Sequence, residues 1–321
     1  MTRNPPYPKS QFEFHRMFFC EEACVAHMVE ARWPEGFAGP FCDSQKSYWV
    51  QDRNAFKCAK CGEWTYLTEG TVMEKSKTPL CTWFLGAYLM TTLTPGISGV
   101  QFQRQAGIGR YETAFQILHK LRSAMVAPER SKLSGEIEVD ETFIGGEKEG
   151  KRGRGALGKT LVAGAVEVVG KHTERCRLQV VIDASEESLV NEFIKLNVEK
   201  GSVILTDGWL GYNALPKKGY AHVVVEGEAP KEVAKQLMHV HRLFGNLKTW
   251  LLGTHHGVSG KHLQAYLNEF TFRYNRRGDP WRSFDTILGL ASEAEAPTYD
   301  QLYAVGRKGG WVHPGRPQGL V

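Results

Sequence analysis

The sequence lacks long apolar segments. Its 321 residues include no run of about 18 apolar residues, and the first ten, MTRNPPYPKS, contain no apolar signal core. A membrane-spanning helix or a secretory signal requires such a segment. We therefore expect a soluble, cytoplasmic protein that makes no membrane contact. At 42% hydrophobic residues, the chain has enough core-forming material for two or three domains.

Cysteine is also scarce, with seven residues at uneven spacing. This pattern is not that of a secreted disulfide framework, so reduced or metal-bound thiols are expected. Cys58-Ala-Lys-Cys61-Gly62 follows a predicted short strand. Such a turn directs two thiolates at one tetrahedral metal, as in the knuckle of a zinc ribbon.

A full zinc ribbon needs a second knuckle with two more ligands. Its place in the sequence reads Gly39-Pro-Phe-Cys42, which supplies a single cysteine. The predicted zinc ligands are therefore Cys42, Cys58 and Cys61, with a fourth from Cys20, Cys24 or His27. The alternative is a metal-free module held together by its aromatic residues.

Excess charge of one sign is small, with a net charge of +5, and it is local. One group of bases lies in a Gly-rich loop, and another ends a predicted helix. These predicted phosphate contacts are Lys148, Lys151, Arg152, Arg154 and Lys159 in the loop, and Arg273, Arg276 and Arg277 on the helix. Clustered bases suit the backbone of a nucleic acid, although a solvated loop has the same composition.

Two predicted strands each end in an aspartate. In residues 135–146, GEIEVDETFIGG, apolar and acidic residues alternate up to Asp140. In residues 202–212, SVILTDGWLGY, a nearly unbroken apolar strand precedes Asp207. Two strand ends that each deliver a carboxylate can hold a divalent metal through hard oxygen ligands.

A helical block covers residues 79–126, and a single longer helix is predicted at 12–32. Within the block, helices at 98–106 and 110–126 flank the turn Gly107-Ile-Gly109, which suits a helix-turn-helix. Its second helix would enter the major groove of DNA. The residues near the start of that helix are Arg110, Tyr111, Thr113 and Gln116, and the basic residues Lys120 and Arg122 lie toward its end. Two packed helices joined by a glycine turn also occur in many other proteins.

The remaining pattern predicts a mixed α/β sheet of the ribonuclease H type. Its strands are expected at 135–144, 161–169, 177–183, 202–206 and 221–225, and its helices at 186–199, 236–252 and 261–276. The chain is thus predicted to be an α+β multidomain protein. Its segments are a zinc-ribbon-like module (1–70), a helix-turn-helix block (71–130), a ribonuclease H-like catalytic domain (131–278) and a C-terminal tail (279–321).

Several of these motifs together resemble the ISXO-like insertion-sequence transposases. They include VDETFIGG, TDGW-x-GY, NLKTWLLGTHHGVSGKHLQAYLNEFTFRYNRR and the upstream RWPEGF. The resemblance covers residues from about 20 to 277 and implies a zinc ribbon, a helix-turn-helix and a DDE-type core. It also implies DNA cleavage and strand transfer with two Mg²⁺ or Mn²⁺ ions, and Asp140 and Asp207 match the first two acidic positions.

The same resemblance implies the partners. These are double-stranded DNA, as the terminal inverted repeats of the element and as the target, and further copies of the chain, as a homodimer or higher oligomer on paired ends. A nucleoid-associated location would follow from DNA binding.

The third catalytic position departs from the family pattern, which has a Glu on this helix with a Lys seven residues after it, or in some branches a neutral residue such as Asn on the same helix. Lys248 is the evident Lys, and His241 stands seven residues before it. At roughly 100° per residue, these two side chains lie about 20° apart on the helix, whereas Asn246 lies at the opposite edge. We therefore predict His241 as the third ligand, then Asn246, with Glu269 a distant third. The alternative is that His241 only packs or bonds at the helix surface.

Three functions compete at this point. The first is an active transposase, the second a non-catalytic, domesticated DNA-binding protein, and the third a nuclease or resolvase with the same fold. Gly39 and His241 favour the second. Metal-dependent joining of 3′ ends separates the first from the second, and a need for paired ends separates it from the third.

Overall fold

The computed structural model describes residues 7–127, 130–145, 159–225, 232, 235–295 and 297–298. The described residues form two compact units. One, called unit 1, is drawn from Met1–Ala127 and Gly278–Gly310, and the other, unit 2, from Pro128–Arg277. In the part of the chain that is described, no helix is long and apolar enough to cross a membrane.

Unit 1 begins with two helices, α1 (Gln11–Met17) and α2 (Glu21–Arg32), instead of the single helix predicted at 12–32. The break follows from the backbone of Cys20, which is extended at φ −147 and precedes the first turn of α2. It also follows from Phe18, which packs edge-on against Phe84 with ring centroids 5.0 Å apart. Burying that ring turns the chain out of the helical path.

A three-stranded antiparallel sheet comes next, with strands β1 (Ser47–Val50), β2 (Ala55–Cys58) and β3 (Trp64–Tyr66). Aromatic rings pack on one another beside it. The rings of Phe37 and Phe56 stack with centroids 4.3 Å apart, and Trp33 meets Phe56 edge-on at 5.2 Å. Aromatic pairs of this kind each contribute roughly 0.5–1.5 kcal/mol beyond the area they bury.

The rest of unit 1 is helical. Its helices are α3 (Leu80–Thr92), α4 (Gly99–Gln105), α5 (Tyr111–Ala124) and, from the C-terminal segment, Pro280–Glu293. The last helix lies in the segment 279–321, which the sequence predicts to be a C-terminal tail. It brings Phe284, which is fully buried, against the rings of Phe14 and Phe84. Of the two bases toward the end of α5, Arg122 is only 1% exposed and so is not available to DNA, whereas Lys120 is half-buried.

Unit 2 contains a five-stranded mixed sheet. Its strands are β4 (Glu136–Ile144), β5 (Thr160–Val169), β6 (His172–Val180), β7 (Val203–Thr206) and β8 (Ala221–Val224). The order across the sheet is β6-β5-β4-β7-β8. The first three form an antiparallel meander, and β4, β7 and β8 run parallel. The third strand starts at His172 and not at 177, because Gly170, with φ 62, makes a tight turn directly after β5.

Helices cover both faces of this sheet. Helix α6 consists of a π-helical part, Glu187–Ile194, and an α-helical end, Lys195–Asn197. It shares one core cluster with Val139 and Ile204 of the sheet. We number the long helices of the other face α7 (Met238–His255) and α8 (Leu263–Asn275), and the Pro280–Glu293 helix of unit 1 α9.

The close packing of helix α7 on the sheet depends on one glycine, Gly164. A Cβ atom at Gly164 in β5 would lie 2.5 Å from the ring of Phe244, which α7 buries against the sheet. The missing side chain therefore lets the helix approach closely enough to bury Phe244, Leu243 and Leu247. Each such burial contributes roughly 1.5–3 kcal/mol.

Candidate active site and cysteine cluster

Asp140 lies in the middle of strand β4 and not near its end as predicted, whereas Asp207 directly follows the last residue of β7. Strands β4 and β7 pair in parallel, with Glu138 opposite Leu205. Continued by two residues, this register places Asp140 opposite Asp207, on backbones about 5 Å apart. The chain turns away directly after Asp207 at Gly208, with φ 78, and the N–H of Trp209 donates to Asp207 Oδ1 over 3.0 Å. The parallel pairing thus brings the two residues onto neighbouring strands.

Helix α7 crosses the face of β4 that carries Asp140. The Glu138 carboxylate accepts the N–H groups of His239 and Val240 at the start of α7, over 2.8 and 2.9 Å. A carboxylate at a helix N-terminus satisfies backbone donors that the helix leaves unpaired. The sequence analysis did not single out Glu138, although its alternation with Asp140 puts both on one face of the strand.

Two further contacts link the same face of β4 to α7. His241 Nε2 lies 3.5 Å from Asp140 Oδ2. Nearly two turns further along the helix, Lys248 Nζ donates to Thr142 Oγ1 over 2.8 Å. His241 and Lys248 therefore both face the strand that bears Asp140.

Burial favours the neutral form of the His241 imidazole. It lowers the pKa of His241 from the ordinary value, the charge of Asp207 opposes this shift, and the charge of Lys248 adds to it. A neutral imidazole has one unprotonated ring nitrogen, which is the atom that binds a metal.

Lys248 supplies positive charge beside the acidic pair. Burial and the neighbouring charge of Lys159 lower its pKa, and the charge of Asp140 raises it. Lys159 and Lys248 thus lie close enough to repel each other. The other predicted bases of the loop, Lys148, Lys151, Arg152 and Arg154, lie outside the described residues.

The other two residues considered for the third position lie on α7, where His241 and Lys248 are exposed as well, and on α8. Asn246 is an exposed residue of α7. Glu269 is fully buried on α8, 3.9 Å from Arg273 Nη1, and α8 packs along β6, two strands away from β4. The structure therefore does not bring Glu269 to the acidic pair.

The three arginines at the end of α8 make contacts within that helix and with strand β6. The side chain of Arg273 is only 14% exposed, beside Glu269. The guanidinium of Arg276 lies 4.0 Å from the ring centroid of Phe272, and Arg277 donates to the carbonyl of Glu174. This placement does not favour the phosphate contact predicted for Arg273, because burial beside a carboxylate removes its charge from the surface.

The residues predicted to read DNA lie at the start of α5. Arg110 precedes the helix and is exposed, whereas Thr113 and Gln116 are half-buried. The Tyr111 ring covers Gly99 at the start of α4, where an added Cβ would lie 3.0 Å from it. Tyr111 is therefore partly engaged in packing the two helices together.

Three cysteines of unit 1 form a cluster that can hold a metal. Cys42 Sγ lies 3.5 Å from both Cys58 Sγ and Cys61 Sγ, and all three sulfurs lie within 4.8 Å of one another. Four thiolates around a zinc ion at about 2.3 Å are separated by about 3.8 Å, so the spacing fits zinc. The N–H groups of Cys61 and Lys60 lower the pKa of the Cys58 thiol to about 6, which favours the thiolate that a metal requires.

Two of the proposed fourth ligands lie elsewhere. Cys24 is fully buried with its Sγ 3.2 Å from Cys81 Sγ, and His27 packs edge-on between the rings of Phe18 and Phe84. Among the described residues, only Cys42, Cys58 and Cys61 bring three such ligand atoms within 4.8 Å of one another, so Cys20 does not join them either. The same search of the described residues does not find ligand atoms of Asp140, Asp207 and His241 all within 4.8 Å of one another.

Comparison with known families assigns both regions. Residues 132–275 match the model of the ISXO2-like transposase domain, and residues 20–63 match that of the transposase zinc-ribbon domain. The chain has the domains of an insertion-sequence transposase. The acidic pair and α7 lie within the transposase domain, and the cysteine cluster lies within the zinc ribbon. The family resemblance of the sequence is thereby confirmed, while no curated protein matches the chain.

Proposed function

We propose that this chain is an active DNA transposase, which binds the ends of an insertion sequence and catalyses metal-dependent cleavage and strand transfer. The observation that carries the proposal is the contact of 3.5 Å between His241 Nε2 and Asp140 Oδ2, beside Asp207, inside the matched transposase domain. One ring nitrogen and two carboxylates are therefore the proposed metal donors.

The sheet topology supports a ribonuclease H-like core. Three antiparallel strands followed by two parallel ones, with helices on both faces, are the layers expected for that fold. The catalytic residues then sit on the central strand β4, on its parallel neighbour β7 and on the helix that follows. Rigid elements of this kind hold a site more precisely than loops do.

The donor set fits divalent cations. Asp140 and Asp207 would hold them through oxygen, and a pair of such ions activates a water or 3′-hydroxyl and stabilises the leaving oxygen. His241 contributes a neutral nitrogen where an acid would contribute a negative charge. We therefore infer that Mn²⁺ supports the reaction better than Mg²⁺, because imidazole suits the softer ion. Lys248 is placed to bind a DNA phosphate as a point charge.

DNA binding is proposed to involve residues of both units. In unit 1, α4 and α5 would act as a helix-turn-helix, with Arg110 and Gln116 reading the element end. In unit 2, Lys159 and the basic loop that precedes it would bind phosphates without reading sequence. Paired ends would be held by a homodimer or a higher oligomer.

A DNA-binding protein without catalysis is the second candidate. Gly39 and His241 favour it, because each replaces a ligand type that the family pattern contains. A nuclease that cuts unpaired ends with the same residues is the third.

Strand transfer with pre-cleaved element ends tests the proposal. The full-length protein is incubated with these ends and a plasmid target, with Mg²⁺, with Mn²⁺, or with a chelator alone. We expect joined products with the metals, more with Mn²⁺, and none with Asp140→Asn. Metal-independent DNA binding without joining would establish the second candidate, and cutting that needs no paired ends would establish the third.

A further inference from the structure

The zinc ribbon contains two turns with the same backbone geometry. One runs from Gly39 to Ser44, and the other from Cys58 to Glu63. In each turn, the N–H of the first residue donates to the carbonyl of the last, over 3.0 Å in the first turn and 2.9 Å in the second. The two turns are therefore equivalent knuckles, residue for residue.

The fifth residue of each knuckle makes the equivalence closer. Asp43 and Gly62 occupy it, both with a left-handed backbone, at φ 51 and 76. Their N–H groups donate to the carbonyl of the first residue over 2.9 and 3.1 Å. A residue with a side chain adopts this conformation at an energetic cost. The first knuckle nevertheless has the same shape as the second, with Asp43 at the position of Gly62.

This alignment pairs Cys42 with Cys61 and leaves Gly39 paired with Cys58. The space at Gly39 agrees with the pairing. A Cβ atom built there would lie 3.5 Å from Cys58 Sγ and 3.8 Å from Cys42 Sγ, so a side chain at this position points into the cysteine cluster. The φ angle of Gly39 lies outside the left-handed region, so the backbone accepts a side chain.

We propose that the ribbon is a three-thiolate metal site whose fourth coordination position, next to Gly39, is taken by an exchangeable ligand from solvent. Structural zinc is four-coordinate, and this chain offers three sulfurs at the cluster. The exposure of Cys61 and the partial exposure of Cys42 give water access to the position. Zinc with three thiolates carries one negative charge less than with four.

An open position makes the bound metal easier to remove. The packing of Phe37, Phe56 and Trp33 beside the strands supports the ribbon independently of the metal. The site is thus expected to exchange its metal without unfolding the ribbon, unlike a closed four-cysteine site. This inference is independent of the proposed transposition, because its test needs neither DNA nor catalysis.

The test compares the full-length protein with Gly39→Cys. Each is loaded with Co²⁺ for absorption spectroscopy, and with Zn²⁺ for release to a chromogenic chelator. We expect the wild type to bind one Co²⁺ with three thiolates and an oxygen ligand. Gly39→Cys should gain thiolate-to-cobalt charge-transfer intensity, shift the d–d bands to longer wavelength, and release zinc at least about ten-fold more slowly. Even the loss of an outer-shell partner weakens a metal site by ~10–100-fold.

Two control variants separate a new ligand from a change in packing. Gly39→Ala fills the same space without a donor, and Ala38→Cys adds a thiol on an exposed neighbour. Both should release zinc as the wild type does. A wild-type cobalt spectrum with four thiolates, no metal binding by the wild type, or unchanged zinc release by Gly39→Cys would each overturn the proposal.

Discussion

The cysteine cluster of unit 1 and the acidic site of unit 2 each depart by one residue from the ligand set of the family that the sequence resembles. At the cluster, Gly39 offers no donor where the matching knuckle has Cys58. At the sheet, His241, the proposed third ligand, has its ring nitrogen 3.5 Å from Asp140, where the resemblance implies a Glu or, in some branches, a neutral residue. One position thus offers no ligand, and the other offers one of a different kind.

The difference reflects what else holds each region in place. Turn hydrogen bonds and stacked aromatic rings keep the ribbon in shape, so its fold tolerates a missing ligand. At the sheet, Glu138 holds the start of α7, and Thr142 binds Lys248 on the same helix. These contacts orient His241 toward the acidic pair, so a donor is kept at that position.

The largest expected effect concerns the two carboxylates. Asp140→Asn or Asp207→Asn should reduce strand transfer at least about 10³-fold, because metal ions at such a pair supply several kcal/mol of transition-state stabilisation. DNA affinity should stay nearly unchanged, since the proposed base and phosphate contacts lie elsewhere. Gel-shift and strand-transfer assays on the same preparations measure both. Equal loss of binding and joining would point to misfolding and contradict the assignment.

The next effect distinguishes two residues of α7. His241→Ala should lower strand transfer by about 10²-fold. Asn246→Ala, at another exposed residue of the same helix, should leave strand transfer nearly unchanged. His241→Glu should keep or raise activity with Mg²⁺, because it restores an anionic oxygen ligand. Wild-type activity should fall at acidic pH, at a value below the ordinary 6.5 of histidine, since burial lowers the pKa of His241. A larger loss for Asn246→Ala would reverse the assignment.

His27 offers a contrast within unit 1, because it is buried without metal ligands around it. Burial lowers its pKa from 6.5 to about 4. A depressed pKa contributes stability that is present above pH 6.5 and is lost as the pH falls toward 4, here up to about 3 kcal/mol. His27→Phe keeps the contacts with Phe18 and Phe84 and removes the titration.

Denaturant unfolding between pH 7 and pH 4.5, with a chelator present, tests this. The free energy of unfolding should fall more steeply for the wild type than for His27→Phe. Parallel curves would show that His27 does not titrate in this range.

The smallest expected effect on DNA affinity distinguishes sequence-specific contacts, proposed for unit 1, from non-specific phosphate contacts, proposed for unit 2. Gln116→Ala should lower affinity for the element end by about ten-fold, at the low end of the usual ~1–3 kcal/mol, because the side chain is half-buried. Lys159→Ala should weaken binding to all sequences alike and reduce the salt dependence. Titrations with cognate and random duplexes decide it, and equal losses on both duplexes for Gln116→Ala would reject the reading role.

The strands and their aspartates were predictable, because period-2 alternation and the buried apolar run mark them directly. The helix α9 also left a signal that was not used: Asp279 accepts the N–H of Arg282 as a helix cap, and Pro280 occupies the first turn. By contrast, the break between α1 and α2 is marked locally only by charge, with bases in the last turn of α1 and Glu21 and Glu22 in the first turn of α2. The packing of Phe18 on Phe84 adds to it from a distance.

Packing between residues far apart in the sequence also determines which charged and thiol groups are buried. Cys24 meets Cys81 across 57 residues of sequence, and that pairing removes it from the zinc ligands. Arg273 and Glu269 are four residues apart on one helix, but only packing against β6 shows that the pair is buried. The shared orientation of His241 and Lys248 toward β4 was easier to predict, because seven residues are nearly two whole helical turns.

The central claim is that His241 is a ligand of the catalytic metal, and pulsed electron paramagnetic resonance of bound Mn²⁺ tests it most directly. The full-length protein is measured with pre-cleaved DNA ends, beside His241→Gln and Asn246→Ala. We expect nitrogen modulation from an imidazole in the wild type and in Asn246→Ala, and its loss in His241→Gln. Absence of the modulation from the wild type, or its persistence in His241→Gln, would rule out His241 as a ligand.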